Sequence, residues 1–316
     1  MPKVQNAYTT RDAKANREDL SDIIYNIDPF DTPFFTMAGR RNVRNVIFDW
    51  QTEKLPGVDI GNRRVEGFVL DRQPSTPTIR LSNTVQISER DATVSGTQEA
   101  VDAAGKGSEM AHQMALAGKA LKRDMESIAL GPQPRIDATD DNTARQTRGL
   151  EHWIKTNVNA GAGYVPPDDA YDTIVDGTQR VFTEALFLDT LQMAYDNGAE
   201  PTEAFIGSWN KRVFTGFAGR NNSQVMVGKS EVVNSVDIYA SDFGRIRTRP
   251  SRWHRQRTVL ILDPNYVKIA FLRNFRTRDM AKIGDAETKM LLAEWGVEVG
   301  NEAAHAKIAD LTTSAA

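Results

Sequence analysis

At 316 residues and 40% apolar content, the chain is long enough for one large or two ordinary domains, each with a real core. It contains no run apolar enough to cross a bilayer, and its zero cysteines exclude disulfides, thiolate nucleophiles and cysteine-ligated zinc. A net charge of −3 argues against a dedicated nucleic-acid binder, which is usually strongly basic.

The opening stretch, MPKVQNAYTTRDAKANRED, lacks the apolar centre of a secretory signal, so synthesis in the cytoplasm is expected. Residues 1 to about 20 are polar, without helical or strand period, and read as a mobile arm. REDLSDIIYNI then predicts a short helix with Leu20, Ile23, Ile24 and Ile27 on one side. Asp28-Pro29 and Asp31-Thr32-Pro33 end it, because a residue before proline is pushed out of the helical region. Phe30, Phe34 and Phe35 crowd around these turns, either as ordinary core or as a contact with another subunit.

VRNVIFDWQTEKL (43–55) and TIRLSNTVQISER (78–90) read as matching strands. The segment between them is rich in Gly, Pro and charge and offers little to a core, so the pair has the form of a long hairpin. A two-stranded ribbon is marginal alone in water and needs something to lie on. That support is either its own domain or a neighbouring molecule, and the preceding arm favours the neighbour.

The longest stretch with a single period runs from Thr97 to Leu130. From Met110 onward, Met110, Met114, Ala117, Leu121, Met125 and Ile128 form one apolar stripe. Thr97 is the expected N-cap and Gly131-Pro132 the stop, giving a rod of about 50 Å at 1.5 Å per residue. Gly105 and Gly107 predict a break or bend in its first third.

A polar loop (131–149) follows, and GLEHWIKTNV begins a second unit. A helix is expected over 178–197 with Val181, Ala185, Leu188, Leu191 and Tyr195 on one face and Gly198 as its stop. AFIG (204–207) reads as a buried strand, SWNKRVFTGF (208–217) as a helix, and 218–230 as a polar loop. VNSVDIYAS, RTVLILD and YVKIAFL are β-rich runs, KMLLAEWGVEV (289–299) is a strand, and NEAAHAKIADL reads as a short terminal helix. This alternation points to α+β layering rather than a doubly wound parallel sheet.

No catalytic or ligand pattern stands out. The chain has no phosphate loop, dinucleotide fingerprint, zincin helix or nucleophile elbow. His112, His152, His254 and His305 are scattered singly, which fits surface or packing roles. Asp140-Asp141 and Asp168-Asp169 sit in turn-like loops, where Asp is favoured for turn chemistry. Arg245, Arg247, Arg249, Arg252, Arg255 and Arg257 surround Trp253 and His254, a pattern able to touch phosphates and stack on bases. A solvated sheet edge or a subunit contact accounts for it better, since no recognition helix or zinc module accompanies it.

Several segments, taken in order, resemble one known family. They are NIDPFDTPFF; VIFDWQTEKL; RLSNTVQISERDATVSGTQEAV running into a helix ending LKRDMESIAL; GLEHWI; VDIYASDFGRI; LDPNYVKIAFLR; and MAKIGDAETKMLLAEWGVEVGNEAAHAKI. Together they resemble the major capsid proteins of tailed bacteriophages of the SU ten type, which adopt the Hong Kong 97 capsid fold. The resemblance implies an N-terminal arm (1–45), an extended β-hairpin loop (46–88) and a peripheral domain with a spine helix (89–150). An axial domain (151–275), a peripheral return strand (276–300) and a C-terminal segment (301–316) complete the implied division. The return strand departs from the family at Glu294-Trp295-Gly296, where Tyr-Thr-Leu is common. A hinge between hairpin and helix is expected at Ser88-Glu89.

The implied function is a structural, non-enzymatic protein that self-assembles into an icosahedral head shell around double-stranded DNA, without a cofactor, metal or membrane. Its partners would be copies of itself in hexamers and pentamers, a portal, scaffold or decoration proteins, and the packaged DNA, bound non-specifically. It would reside in the virion after synthesis in the bacterial host cytoplasm. Candidate contact residues between subunits are Phe30, Phe34 and Phe35 near the arm, and Arg63, Arg64, Glu66 and Phe68 in the hairpin loop. Arg123 and Glu126 on the long helix and Arg249 and Arg252 in the arginine run complete the set. The alternative is the shell of a cellular nanocompartment of the same fold; an enzyme or a DNA-binding module fits less well.

Overall fold

The computed structural model describes residues 31–53, 55, 57–69, 77–101, 107–218 and 238–314. Phe30, the helix expected over 17–27, most of the arm and the polar loop from residue 219 lie outside them. In chain order the first half holds α1 (Pro33–Met37), β1 (Gly39–Asn42), β2 (Ile47–Thr52), β3 (Ile79–Thr84), β4 (Gln86–Ser95), α2 (Gly96–Ala100), α3 (Glu109–Leu130), α4 (Leu150–Trp153) and β5 (Val158–Asn159). The second half holds α5 (Glu184–Asp196), β6 (Glu203–Ile206), α6 (Ser208–Ala218), β7 (Ile238–Ser241), β8 (Gly244–Pro250), β9 (Val259–Leu262), β10 (Val267–Asp279), β11 (Ala286–Val299) and β12 (Ala306–Ile308).

Three sheets organise this α+β chain. One has the order β1-β10-β11-β4, one the order β5-β12-β9-β6-β8-β7, and β2 pairs only with β3. In the first sheet β1 runs parallel to β10, and β10, β11 and β4 are antiparallel. The six-stranded sheet separates two cores. Alternate residues of the fully buried β9 face opposite ways: Leu260 and Leu262 join the core beneath α3, while Val259 and Ile261 join the one beneath α5 and α6. A strand buried on both faces reads as the continuous apolar run seen here.

The rod expected over Thr97–Leu130 is divided. Ser95, not Thr97, caps α2 by accepting from Gln98 N. Ser108 caps α3 by accepting from Ala111 N, so the long helix has 22 residues and spans about 33 Å. Glu99 joins the two pieces, its carboxylate accepting from Ser108 Oγ at 2.6 Å and from Met110 N at 3.0 Å. The expected stripe is the buried face at Met110, Ala117, Leu121 and Met125, extended by Glu126, Ala129 and Leu130.

Two expectations are corrected. Helix α5 starts at Glu184 with Thr183 as its cap, and its buried face is Phe187, Thr190, Leu191 and Ala194; Val181, Ala185 and Tyr195 are exposed. The aromatic cluster of Phe182, Phe187 and Phe214 sets that rotation, and the late start removes Val181 from the helix. The terminal helix expected at 301–311 is instead a single 3-10 turn followed by β12, paired between β5 and β9. Lys307 hid that strand, because a buried lysine breaks the apolar run that would announce it. Its Nζ donates to Glu151 O at 2.7 Å.

Residue 275, the expected end of the axial unit, falls inside β10, so residues 267–275 belong to the sheet shared with β4 and β11. Leu121, 1% exposed under that sheet, anchors α3. Leu121→Ala is expected to cost about 2–5 kcal/mol, read as a lower midpoint in denaturant unfolding of the soluble subunit.

Candidate assembly interface

The β2–β3 ribbon leaves the body as a finger, and its root is built from aromatic stacking on one glycine. Phe48 stacks on Trp50 at 5.7 Å, and Trp50 lies 5.5 Å from Trp153 of α4. Phe48 also crosses β11 at Gly296, where a Cβ would stand 2.8 Å from Phe48 Cε1 and 2.9 Å from Thr84 O. Next to it, Trp295 is fully buried, meets Phe35 edge-on at 5.7 Å and donates from Nε1 to Ser88 Oγ at 3.0 Å. Glu294 accepts from Arg145 Nη2 at 2.6 Å and from Arg273 Nε at 2.5 Å. The departure at Glu294-Trp295-Gly296 is therefore the seat of the finger. The chain changes partner at Val85, between β3 paired to β2 and β4 paired to β11. Ser88 and Glu89, where the hinge was expected, lie within unbroken pairing opposite Ala293 and Leu292.

Beyond Thr52 the finger makes almost no contact with its own body. Leu55, Val58, Ile60 and Val69 are each more than 90% exposed, Val65 is 76% exposed and Phe68 50%. Arg63, Arg64 and Glu66 are exposed among them, and Arg63 and Arg64 form no ion pair among the described residues. Composition suggests a tip with little to bury, and among its described large apolar residues only Phe68 is as much as half-buried.

The second constellation holds the root of the arm. Glu126 of α3 is wholly buried, its two oxygens accepting from Phe34 N at 2.7 Å and Phe35 N at 2.8 Å. Phe34 meets Phe205 edge-on at 6.2 Å. Trp253 donates from Nε1 to Asp31 O at 2.6 Å, and the Arg123 guanidinium lies 5.6 Å over its ring. Phe34, Phe35 and Glu126 are thus brought together inside one subunit, where burial leaves them no surface to offer a neighbour. Arg123 lies beside them, half-buried, and Arg252 stays exposed in the cleft lined by Asp31 and Trp253.

Three of the six arginines in the run, Arg249, Arg255 and Arg257, engage carboxylates of the same subunit, while Arg245, Arg247 and Arg252 stay exposed. Arg249 grips Glu203 through Nε and Nη2 at 2.6 and 3.0 Å. Arg255 reaches Glu151 and Asp176, and Arg257 reaches Asp176 and Asp310. Burial raises the Glu151 carboxyl and lowers the Lys307 amine in the same network. Sequence reasoning missed this network because its members are far apart in the chain. The positive φ of 61° at Asp310 has no marker in the sequence.

His152, His254 and His305 are buried, and burial holds the first two down to about 4 and the third to about 3, so all are neutral at pH 7. Among the described residues no group of three or more His, Asp or Glu is placed to hold a metal ion, and no helix is long and apolar enough to cross a membrane.

A sequence profile of the SU10 major capsid protein family matches residues 4–312. The chain belongs to that family. A curated relative, the major capsid protein of Escherichia phage Phieco32, is 25% identical over 330 residues, covering 93% of this chain and 94% of the relative. Among solved structures, the cyanophage A-1(L) capsid superposes with TM-score 0.69 at 13% identity, covering 96% of this chain and 98% of that one. The capsid of cyanophage P-SCSP1u gives 0.63 at 11% identity over 99% and 97%. The SrpI encapsulin of Synechococcus elongatus gives 0.57 at 12% identity over 95% and 94%. These likenesses show the Hong Kong 97 capsid fold, which phage heads and encapsulin share, and the family match places this chain with the phage proteins. It is a structural capsid protein of the virion that self-associates into a shell, and it is not an enzyme.

Two measurements check the capsid protein's two constellations. Gly296→Ala is expected to lose about 1–3 kcal/mol by overpacking Phe48, seen as a lower melting temperature. Burial raises Glu126 to about 7 against the two amides that favour its charge. The folded chain therefore binds that proton more tightly than the unfolded one. The resulting stability is complete below the ordinary glutamate range and is lost as pH rises through about 7. Thermal melts between pH 4.5 and 8 should show this decline, and Glu126→Gln should flatten it.

Proposed function

We propose that this capsid protein closes its shell by laying the finger of each subunit on the next copy around rings of five and six. The observation that carries this reading is the exposed apolar tip, where five aliphatic side chains are at least three-quarters exposed and Phe68 is half-exposed. Contiguous apolar surface of that kind marks an interaction site. Heterologous contacts of finger on neighbour close into rings, and curvature between rings closes the shell.

The shell would enclose double-stranded DNA. Net charge near neutrality suits an inner wall, since strong basicity would bind packed DNA and hinder its release. A portal at one vertex, and scaffold or decoration proteins, would be its further partners, with synthesis in the host cytoplasm. The working units would be the arm, the finger, a peripheral domain around α3 and the four-stranded sheet, and an axial domain around the six-stranded sheet. The break between the last two is set before β10 rather than at residue 275, and β12 is counted with the axial sheet.

Expression of the chain, followed by sedimentation and negative-stain imaging, tests this. Wild-type protein should yield closed particles or capsomers. The double variant Val58→Asp, Ile60→Asp should remain unassembled with unchanged circular dichroism, because both residues are solvent-exposed in the free subunit. Wild-type protein that stays monomeric under all salt conditions, or a variant that assembles normally, would contradict the reading.

A further inference from the structure

The finger tip carries Arg63 and Arg64, neither in an ion pair among the described residues, and the loop joined by the Val165–Val175 bridge carries exposed carboxylates, with Lys155 Nζ donating to the Asp168 carbonyl at 3.2 Å. Val165 N donates to Val175 O at 3.0 Å and Val175 N to Val165 O at 3.2 Å, which sets both side chains on one face, 52% and 51% exposed. Between them stand the exposed Asp168, Asp169 and Asp172, none in an ion pair among the described residues, and Tyr171, which is 54% exposed. This loop is not free to drift. Its Tyr171 hydroxyl donates to Asp137 Oδ2 at 2.8 Å, and its Ala170 carbonyl accepts from Arg135 N at 2.8 Å. Arg135 in turn donates from Nη1 to Ser82 Oγ on β3 at 2.7 Å, so the acidic loop is tied to the root of its own subunit's finger.

Building on the shell reading, we infer that this acidic, valine-edged loop is the face on which the Arg63-Arg64 tip of a second copy of the chain docks. The chemistry is complementary in both respects. The tip offers Val58, Ile60, Val65 and Phe68 around two arginines, and the loop offers Val165, Val175 and Tyr171 around three aspartates. Desolvated Arg–carboxylate pairs set in an apolar surround give register as well as attraction. Asp59 and Glu66 are also on the tip, and Asp59 Oδ1 is engaged by Gly61 N at 2.9 Å in its own turn.

The reach also fits. The six residues of β2 and the nine from Glu53 to Gly61 extend at most about 50 Å. A folded chain of 316 residues has a radius of gyration of about 20 Å, hence a width of about 50 Å. The bound on the finger's length thus matches the width of one subunit, the span a head-to-tail contact requires. The contact repeats head to tail around a ring.

The absence of cysteine from the chain makes the test direct. A subunit carrying both Arg64→Cys and Asp168→Cys should, once assembled and oxidised, run as a ladder of covalent oligomers on a non-reducing gel. Either substitution alone should give none. Independently, Arg63→Glu with Arg64→Glu should lower the assembled fraction roughly tenfold or more, since like charges then face each other. Adding Asp168→Arg and Asp172→Arg should restore it. If the cysteine pair disturbs assembly, the reversal-and-rescue series decides alone. Particles without the ladder, or reversal without rescue, overturn this docking and leave the shell reading standing. Wild-type protein that forms no particle overturns both.

Discussion

The constraint on which the rest depends is the close approach of Phe48 to β11 at Gly296. Only a residue without a side chain lets the ribbon cross the strand there, with Trp295 beside it buried against Phe35 and Trp50 against Trp153. Among the described residues, the finger is thereby anchored at its root. Its strands gain their stability from the root, and among the described residues its tip projects Leu55, Val58, Ile60 and Val69 more than 90% exposed. A monomer built this way is incomplete in a specific direction, and that incompleteness is what a self-assembling shell requires.

The arm's root obeys the same logic with polar groups. Glu126 gives its two oxygens to the first two free amides of α1, so the long helix holds the chain at the place where it enters the body. Trp253, reaching from the loop before β9, grips Asp31 and is covered by Arg123 of α3. Helix, axial loop and arm therefore meet at one point, and the core containing Phe34, Phe205 and Trp295 runs beneath all three. A displacement of the long helix would be felt at both the arm and the finger, because the two are fixed to neighbouring parts of one packed core.

Much of this was legible in the residues. The alternation in IFDWQT and IRLSNT marked the ribbon, and the three-and-four spacing of apolar residues marked α3. RTVLILD reads as a β-rich run, and the structure shows its strand buried on both faces. What was not legible depended on distant partners. The buried face of α5 is set by Phe182 and Phe214, which helical periodicity cannot see. The terminal strand was disguised by Lys307, whose charge is met by a carbonyl 156 residues away in sequence. Ser88-Glu89 suggested a hinge only until its pairing with β11 was known. Phe34, Phe35 and Glu126 read as subunit contacts in the sequence, whereas the structure buries all three inside one subunit. The arginine run reads as a solvated edge or a subunit contact, and the carboxylates that engage Arg249, Arg255 and Arg257 could not be foreseen because they lie in other segments.

Amide hydrogen exchange across residues 57–69, compared between dissociated subunits and assembled particles, tests the central claim most directly. Rapid exchange is expected in the free subunit and strong protection on assembly, with the amides of β11 around Gly296 protected in both. Protection of the tip in the isolated subunit, or its continued rapid exchange in closed particles, would contradict it.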